Sequence, residues 1–325
     1  MRIIVCVLFI ILGYGSSSSS KEVELTVITA WNRSVEFAQD FQTEFVEPLN
    51  REASGQVKIN YLGGPEVIPQ RQMVYALRRG VVDMYFGAAT YMLGLAPEAD
   101  AFLAASITPQ EARLNGAIEA ISKIWIKKLN AKFLGWHQTG PKLHVFTKQK
   151  PQLTFDGLPD LKAFRVRTTP TYKAFLDAVG TTPVDIPSSE VYTALERGTV
   201  DAVAWTSTSM SQLGFQKFVR YRIDPGVLGL VMTLQINVNA WASMSPSQKN
   251  TLQMASIQYE ESSRARFLEI AAKEHSVLFN DGMKFLSLRE DAAIRYRELA
   301  ANAVWKRMAR RSPKAVMELR PLFNP

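Results

Sequence analysis

Ala76-Leu77-Arg78-Arg79-Gly80-Val81-Val82-Asp83 returns in the second half of the chain as Ala194-Leu195-Glu196-Arg197-Gly198-Thr199-Val200-Asp201, with six of the eight positions identical. Each copy reads as a helix end, a glycine free to take a positive φ, and an apolar strand. Tyr75 and Tyr192 stand just upstream of the two copies. Working outward from the first, Val23–Thr29 alternates as a strand and Ser34–Ala53 is patterned as an amphipathic helix. Val57–Leu62 is a second strand, closed by Gly63, Gly64 and Pro65. Pro69–Arg79 is a helix and Val81–Phe86 a third strand. Strands that alternate with helices predict sheets with parallel pairing, covered by helices. A repeated helix–turn–strand unit predicts two lobes of similar architecture. Pro151–Asp160 is a loop-rich stretch between the halves. Ser245–Asn280 is nearly free of breakers and predicts a helix of up to about 50 Å, too long for one compact lobe and able to brace both. Met283–Leu288 reads as a strand, followed by two helices.

The 325 residues, 47% of them hydrophobic, suffice for a core of the size that divides into two domains, and an ordinary charged fraction excludes global disorder. Residues 1–20 are different material. Arg2 is their only charge, Ile3–Leu12 is apolar, and Gly13–Ser20 is nearly all small and polar. That order predicts a secretory signal peptide whose apolar run is too short to span a bilayer. The only cysteine, Cys6, lies inside it. The exported product is therefore expected to lack a thiol, a disulfide, a Cys-ligated metal and a Cys nucleophile. It is also expected to be soluble and periplasmic. A net charge of +8 is compatible with nucleic acid, anionic lipid or anionic solutes, and export argues against the first. The densest basic cluster, Lys306, Arg307, Arg310, Arg311 and Lys314, reads as a solvated helix face or as a docking patch for a membrane partner.

Catalytic signatures are missing from the sequence. His137, His144 and His275 form no HExxH or other ligand-spaced cluster, and there is no GxGxxG, GxxxxGK[ST] or GxSxG. A hydrolase with two carboxylates in a cleft stays open as a rival. One constellation points to binding. Phe164–Arg167 reads as a strand with Arg165 and Arg167 on one face, and Arg167 at its end is followed by Thr168, Thr169, Pro170 and a helix over Thr171–Val179. A planar guanidinium beside hydroxyls and a helix N-terminus is suited to a carboxylate. A surface ion pair is the bland alternative.

Gly63–Pro69 (GGPEVIP), Ala76–Met84 (ALRRGVVDM), Asp160–Pro170 (DLKAFRVRTTP), Val179–Ala202 (VGTTPVDIPSSEVYTALERGTVDA) and Ser245–Lys249 (SPSQK) together resemble the solute-binding proteins of tripartite ATP-independent periplasmic (TRAP) transporters, of the dicarboxylate-binding type. The resemblance spans essentially the whole exported chain. It implies a two-lobed α/β fold with mixed, mostly parallel sheets, a hinge braced by the long helix, and a ligand buried between the lobes. The corresponding division is 21–140 with 231–262 for lobe I and 141–230 with 263–325 for lobe II. It implies a monomeric binder, not an enzyme, that hands a small organic acid to a small and a large integral-membrane subunit, with uptake driven by an ion gradient, usually sodium. A sensory receptor of the same fold is the alternative. The family arginine falls on Arg167, and a second basic contact on Lys142, where relatives more often carry arginine. Ala204 replaces an acid that serves some relatives as a metal ligand, so neither metal nor cofactor is expected. Ala88 stands where some relatives place a polar contact. Trp31 and Trp205 are expected to face the cleft from opposite lobes and to sandwich an apolar or aromatic ligand body. Ser188, Tyr192, Tyr91 and one of Tyr85 and Phe86 are further wall candidates, since strand neighbours face opposite ways.

Overall fold

The structure is a computed structural model that describes residues 21–325; the expected signal segment and Cys6 lie outside the described residues. Eleven strands are described: β1 (Val23–Thr29), β2 (Val57–Gly63), β3 (Met84–Ala88), β4 (Ala131–His137), β5 (Leu143–Thr147), β6 (Arg165–Thr168), β7 (Thr182–Asp185), β8 (Ala202–Thr206), β9 (Tyr221–Asp224), β10 (Met232–Asn237) and β11 (Lys284–Ser287). They form two sheets, ordered β2-β1-β3-β10-β4 and β11-β9-β5-β8-β6-β7. In each sheet one strand runs against its neighbours. β10 is antiparallel to β3 and β4, and β5 is antiparallel to β8 and β9, while the remaining pairs are parallel.

The two copies of the repeat have the same local structure. The first ends helix Met73–Arg79 with Gly80 at φ 73°, and Gly80 and Val81 donate back to the carbonyls of Leu77 and Ala76 at 3.0 and 2.9 Å. The second places Gly198 at φ 66°, and Gly198 and Thr199 donate to Leu195 and Ala194 at 3.2 and 2.9 Å. Both are Schellman caps, which need a left-handed residue after the helix. Each closing aspartate then ties down the adjacent parallel strand. Asp83 accepts from the N–H and hydroxyl of Thr26 in β1, and Asp201 accepts from the guanidinium of Arg165 in β6.

One expected helix and one expected strand differ in detail. Ser34–Ala53 is divided into helix Glu36–Phe41, a wide π turn over Gln42–Val46, and helix Glu47–Glu52. Pro48 explains the break, because it cannot donate to the carbonyl four residues back and its ring crowds that carbonyl. The strand expected at Val81 begins only at Met84, after the cap and the Asp83 contact.

The long helix runs over Pro246–Asn280, 35 residues or about 52 Å, and starts with a Ser245/Gln248 capping box. Its segment as far as Arg266 serves the side of the first sheet. Gln248 donates to the carbonyls of Lys21 and Gln56, Glu260 accepts from Arg113 and the Trp136 N–H, and Arg266 binds Asp40. The segment beyond serves the other sheet, where Glu274 accepts from the N–H and hydroxyl of Ser211. Helix Glu290–Ala309 packs Tyr296 edge-on against Phe175 of helix Pro170–Ala178. The last helix, Pro313–Phe323, corrects the expected division: Phe323 packs against Phe102 and Trp136, so this segment lies with the first sheet rather than with 263–311. A chain return of this kind has no local signal, since the apolar stripe of a terminal helix fits either lobe.

Candidate ligand-binding site

Arg167 ends up in the interior. It is 1% exposed at the end of β6, between β7 and β8, with its Nε donating to the Ile186 carbonyl at 2.9 Å. Its Nη1 and Nη2 are buried and have no hydrogen-bond partner among the described residues. Arg165, two residues earlier, has the fate usual for arginine: it is exposed and pairs with Asp201 at 2.7 Å. Desolvation lowers the Arg167 pKa, and Tyr172, Tyr91 and Asp185 act the other way. Arginine still keeps its proton at neutral pH, so an uncompensated positive charge faces the cavity.

The cavity is built from both sheets. Trp205 on β8 lies against the guanidinium, 4.9 Å from ring centroid to Cζ, and is held edge-on by Phe215 at 5.2 Å. Trp31 follows β1 and rests on Phe37 and Tyr91, with ring centroids 5.1 and 5.9 Å apart. Its backbone is fixed by Thr29, whose hydroxyl donates to the Trp31 carbonyl at 2.7 Å. The loop after β2 presses on that same carbonyl. A Cβ at Gly64 would stand 2.2 Å from the Trp31 oxygen, which is why the Gly-Gly-Pro stretch needs glycine there.

Ala88, Tyr91, Thr169, Thr171, Tyr172 and Thr206 complete the polar and small part of the lining, and Leu143 with Gly229–Met232 closes the back. The Thr206 hydroxyl is buried and unpartnered among the described residues. Thr169 precedes helix Pro170–Ala178 without capping it through its side chain. Burial raises the pKa values of Tyr91 and Tyr172, so both phenols stay neutral and Arg167 is the one full charge on the lining. The enclosed volume is about 50 Å³, a handful of water-sized positions at about 10–15 Å³ each. Trp31 and Trp205 also border a wider groove of about 530 Å³ that contains Gln70 and Ser188. The two tryptophans therefore stand between a tight cationic recess and an open mouth.

Several bonds join the two sides around this recess. Thr90 and Thr171 hydroxyls meet at 2.5 Å, Ser209 donates to Glu36 at 2.7 Å, and Arg71 pairs with Asp185 at 3.2 Å. Arg307 holds Asp100 through two nitrogens at 2.9 and 2.6 Å and also donates to the Pro170 carbonyl. Ser209 makes its bond from a left-handed backbone at φ 66°, a costly conformation for a residue with a Cβ.

This two-sided recess accompanies a match over residues 30–312 to the family described as bacterial extracellular solute-binding protein, family 7. The chain belongs to that family. It is 24% identical over 217 residues to the monocarboxylate 2-oxoacid-binding periplasmic protein of Nostoc sp., a match covering 63% of this chain and 57% of that one. Its fold is that of solved TRAP solute-binding proteins. The structure from Bordetella bronchiseptica, described with copurified calcium and picolinate, has a TM-score of 0.80 at 19% identity and covers 94% of this chain and 91% of its own. The one from Desulfovibrio salexigens with bound orotic acid also has a TM-score of 0.80, at 16% identity, covering 92% of this chain and 97% of its own.

In this family-7 protein the expected site residues separate into groups. Arg167, Trp205, Trp31, Tyr91 and Ala88 come together on the recess. Ser188 lies in the outer groove. Phe86 does not reach the site: it is fully buried and stacked on Phe41 at 4.1 Å, and Tyr85 is buried as well. Tyr192 is 37% exposed and packs edge-on against Phe218. Lys142 turns away, into a separate groove with Ser207, Gly226 and Arg297. Strand alternation accounts for this, since its neighbour Leu143 takes the recess side. Thr206, Thr171 and Tyr172 were not singled out from the sequence. Their signal lay in proximity to Arg167 and Trp205, one position along β8 and one turn into the following helix. The histidines pack: His137 is wholly buried, with burial driving its pKa well down, His144 bonds the Ile223 carbonyl, and His275 stacks on Phe285. Among the described residues no three His, Cys, Asp or Glu side chains converge as a metal site.

Proposed function

We propose that the protein is the periplasmic binding component of a TRAP transporter and captures a small organic acid with an apolar or aromatic body. The observation that carries this reading is the pair of unpartnered Arg167 nitrogens facing a recess walled by two tryptophans. A buried guanidinium with open donors is costly by itself and is relieved by a carboxylate that accepts from both nitrogens. The ligand's acid group meets Arg167, with Thr206 and the helix N-terminus at Thr169 beside it, and its body lies between Trp31 and Trp205 towards the groove. Picolinate and orotic acid in the two solved relatives are flat, ring-bearing acids that suit such a slot, and the 2-oxoacids of the Nostoc relative match the tight volume.

The action is binding without turnover. The two lobes, 21–140 with 231–262 and 141–230 with 263–311, close over the acid, and contacts made only in the closed state supply the driving force. The last helix joins the first lobe. The loaded protein, a monomer exported by its N-terminal segment, then delivers the acid to a small and a large membrane subunit. A thermal-shift screen of aromatic and aliphatic carboxylates tests this reading. At least one acid should raise the unfolding temperature of the exported chain in a concentration-dependent way. A protein that responds only to neutral solutes, or steadily converts the acid to product, would overturn it.

A further inference from the structure

The groove that receives Lys142 lies back to back with the ligand recess. The antiparallel strands β5 and β8 pair Leu143 with Thr206, and both side chains line the recess. One residue along, the Ser207 N–H donates to the Lys142 carbonyl at 2.8 Å, the Lys142 N–H donates to the Ser207 hydroxyl at 3.3 Å, and both residues line the opposite groove. That groove encloses about 590 Å³ between the hinge backbone, the long helix at Leu268–His275, and Arg297 of helix Glu290–Ala309.

Its charge is unbalanced. Arg222 is already satisfied: it pairs with Asp224 through two nitrogens at 2.9 Å and donates to His275 Nδ1 at 2.9 Å. Lys142 and Arg297 line the same groove, and Arg264 of the long helix stands close to Gly140 at its edge. None of these three cations has an ion-pair or side-chain hydrogen-bond partner among the described residues. Lys142 is open to water at its surface. Even so, desolvation, and then the charges of Arg264 and Arg297, hold its ammonium below the ordinary lysine pKa. Three unpaired cations supplied by three separate segments repel one another, and an anion placed among them removes that cost.

We propose that this groove is a second anion site, on the hinge face, that takes a compact doubly charged oxyanion of the phosphate type through Lys142, Arg297 and Arg264. Ser207 and the turn Pro225-Gly226-Val227 provide a close floor. A Cβ at Gly226 would stand 2.4 Å from the Lys142 Cβ, so the turn packs directly against the lysine stem. Because the walls are the hinge segments themselves, an ion there contacts the same strands whose other face holds the organic acid. The site is independent of the carboxylate reading of the recess.

Titration calorimetry of inorganic phosphate into the exported chain, at ionic strength held constant with sodium chloride, tests the proposal. Wild type should give saturable binding. Lys142→Gln and Arg297→Gln should each weaken it by roughly tenfold or more, as expected for removing one charge-assisted contact. Sulfate should compete, and Arg167→Met should leave phosphate binding unchanged. Both glutamine variants alter side chains open to water, and thermal unfolding verifies that they fold. Absence of saturable binding at millimolar phosphate would overturn the proposal. So would equal binding by the glutamine variants, or loss of binding in Arg167→Met, which would place the ion in the recess instead.

Discussion

Replacing Arg167 by methionine should move affinity and stability in different directions. In the unliganded protein, Arg167 contributes one good bond, Nε to the Ile186 carbonyl, and contact with the Trp205 ring. Against these stand two buried N–H groups without partners and a desolvated charge. Each unsatisfied donor costs about 1–3 kcal/mol, and a buried charge without a counter-ion adds to that. Methionine keeps most of the stem's volume and removes both liabilities, at the expense of one orphaned carbonyl. The variant should therefore unfold at the same temperature as wild type or higher. Its affinity for the acid should fall by about 2–5 kcal/mol, the loss found when one partner of a buried charge pair is removed, or about thirtyfold to a few thousandfold in Kd. Calorimetry with the best acid from the thermal-shift screen reads the affinity, and thermal unfolding without ligand reads the stability. A methionine variant that binds that acid within threefold of wild type would refute the role given to the guanidinium. Marked destabilisation of the empty protein would show instead that Arg167 is a structural residue.

Trp205→Ala should cost ring-bearing acids about 0.5–1.5 kcal/mol more than aliphatic acids of similar size, because only the former lose an aromatic pair; equal losses in competition titrations would dismiss the sandwich. Glu36 meets Ser209 across the cleft, and desolvation, with Glu274 and Asp40 nearby, raises its pKa while the Ser209 bond opposes this. A raised carboxyl pKa means that the charged form is penalised in the shut state, in full above that pKa, and that the penalty is relieved as pH falls through it. Ligand affinity should therefore strengthen on lowering the pH from neutral towards the carboxylate range, and Glu36→Gln should flatten the profile; an unchanged profile in the variant would remove Glu36 from the linkage. Gly80→Ala and Gly198→Ala should each lower stability by about 1 kcal/mol from backbone strain alone, since an added Cβ meets nothing closer than 3.6 Å at the first and nothing within 4 Å at the second. Unequal losses by denaturant unfolding would argue against equivalent caps.

The sequence carried the fold wherever a local pattern carried the physics. The repeated octamer specified two identical caps because a Schellman end needs glycine at one position and an apolar strand soon after. The long helix was legible from Ser245 to Asn280 because few breakers interrupt it, and the structure adds the capping box that opens it. What escaped was decided at long range. Phe86 carries the same strand signal as a cleft residue, and only the approach of Phe41 from another helix makes it core. Lys142 has a plausible motif position, yet the pleat sends it to the far face of the hinge. Tyr192 belongs to a helix whose buried side is Val191, Ala194 and Leu195, which turns the phenol outward. The lining at Gly229–Met232 is an apolar crossing with no chemical mark, recognisable only when both sheets are in place.

Why Arg165 and not Arg167 finds a carboxylate within the chain follows from the repeat itself. In the first copy the closing aspartate, Asp83, takes the N–H and hydroxyl of Thr26, a neutral partner. In the second, Asp201 takes the guanidinium of Arg165 through two oxygens, and these bonds hold the aspartate below its ordinary pKa. The carboxylate that the repeat places at this strand end is thereby consumed at the surface. Arg167 is two residues further along, on the same face but under Trp205, where no acid among the described residues hydrogen-bonds its Nη1 or Nη2 and Asp185 acts only at a distance. Its two free nitrogens in the core support the proposed reading, in which a bound acid supplies the negative charge. Had the acid of the repeat stood within reach of Arg167, the pair would have closed on itself, and the recess would hold a salt bridge in place of a binding site.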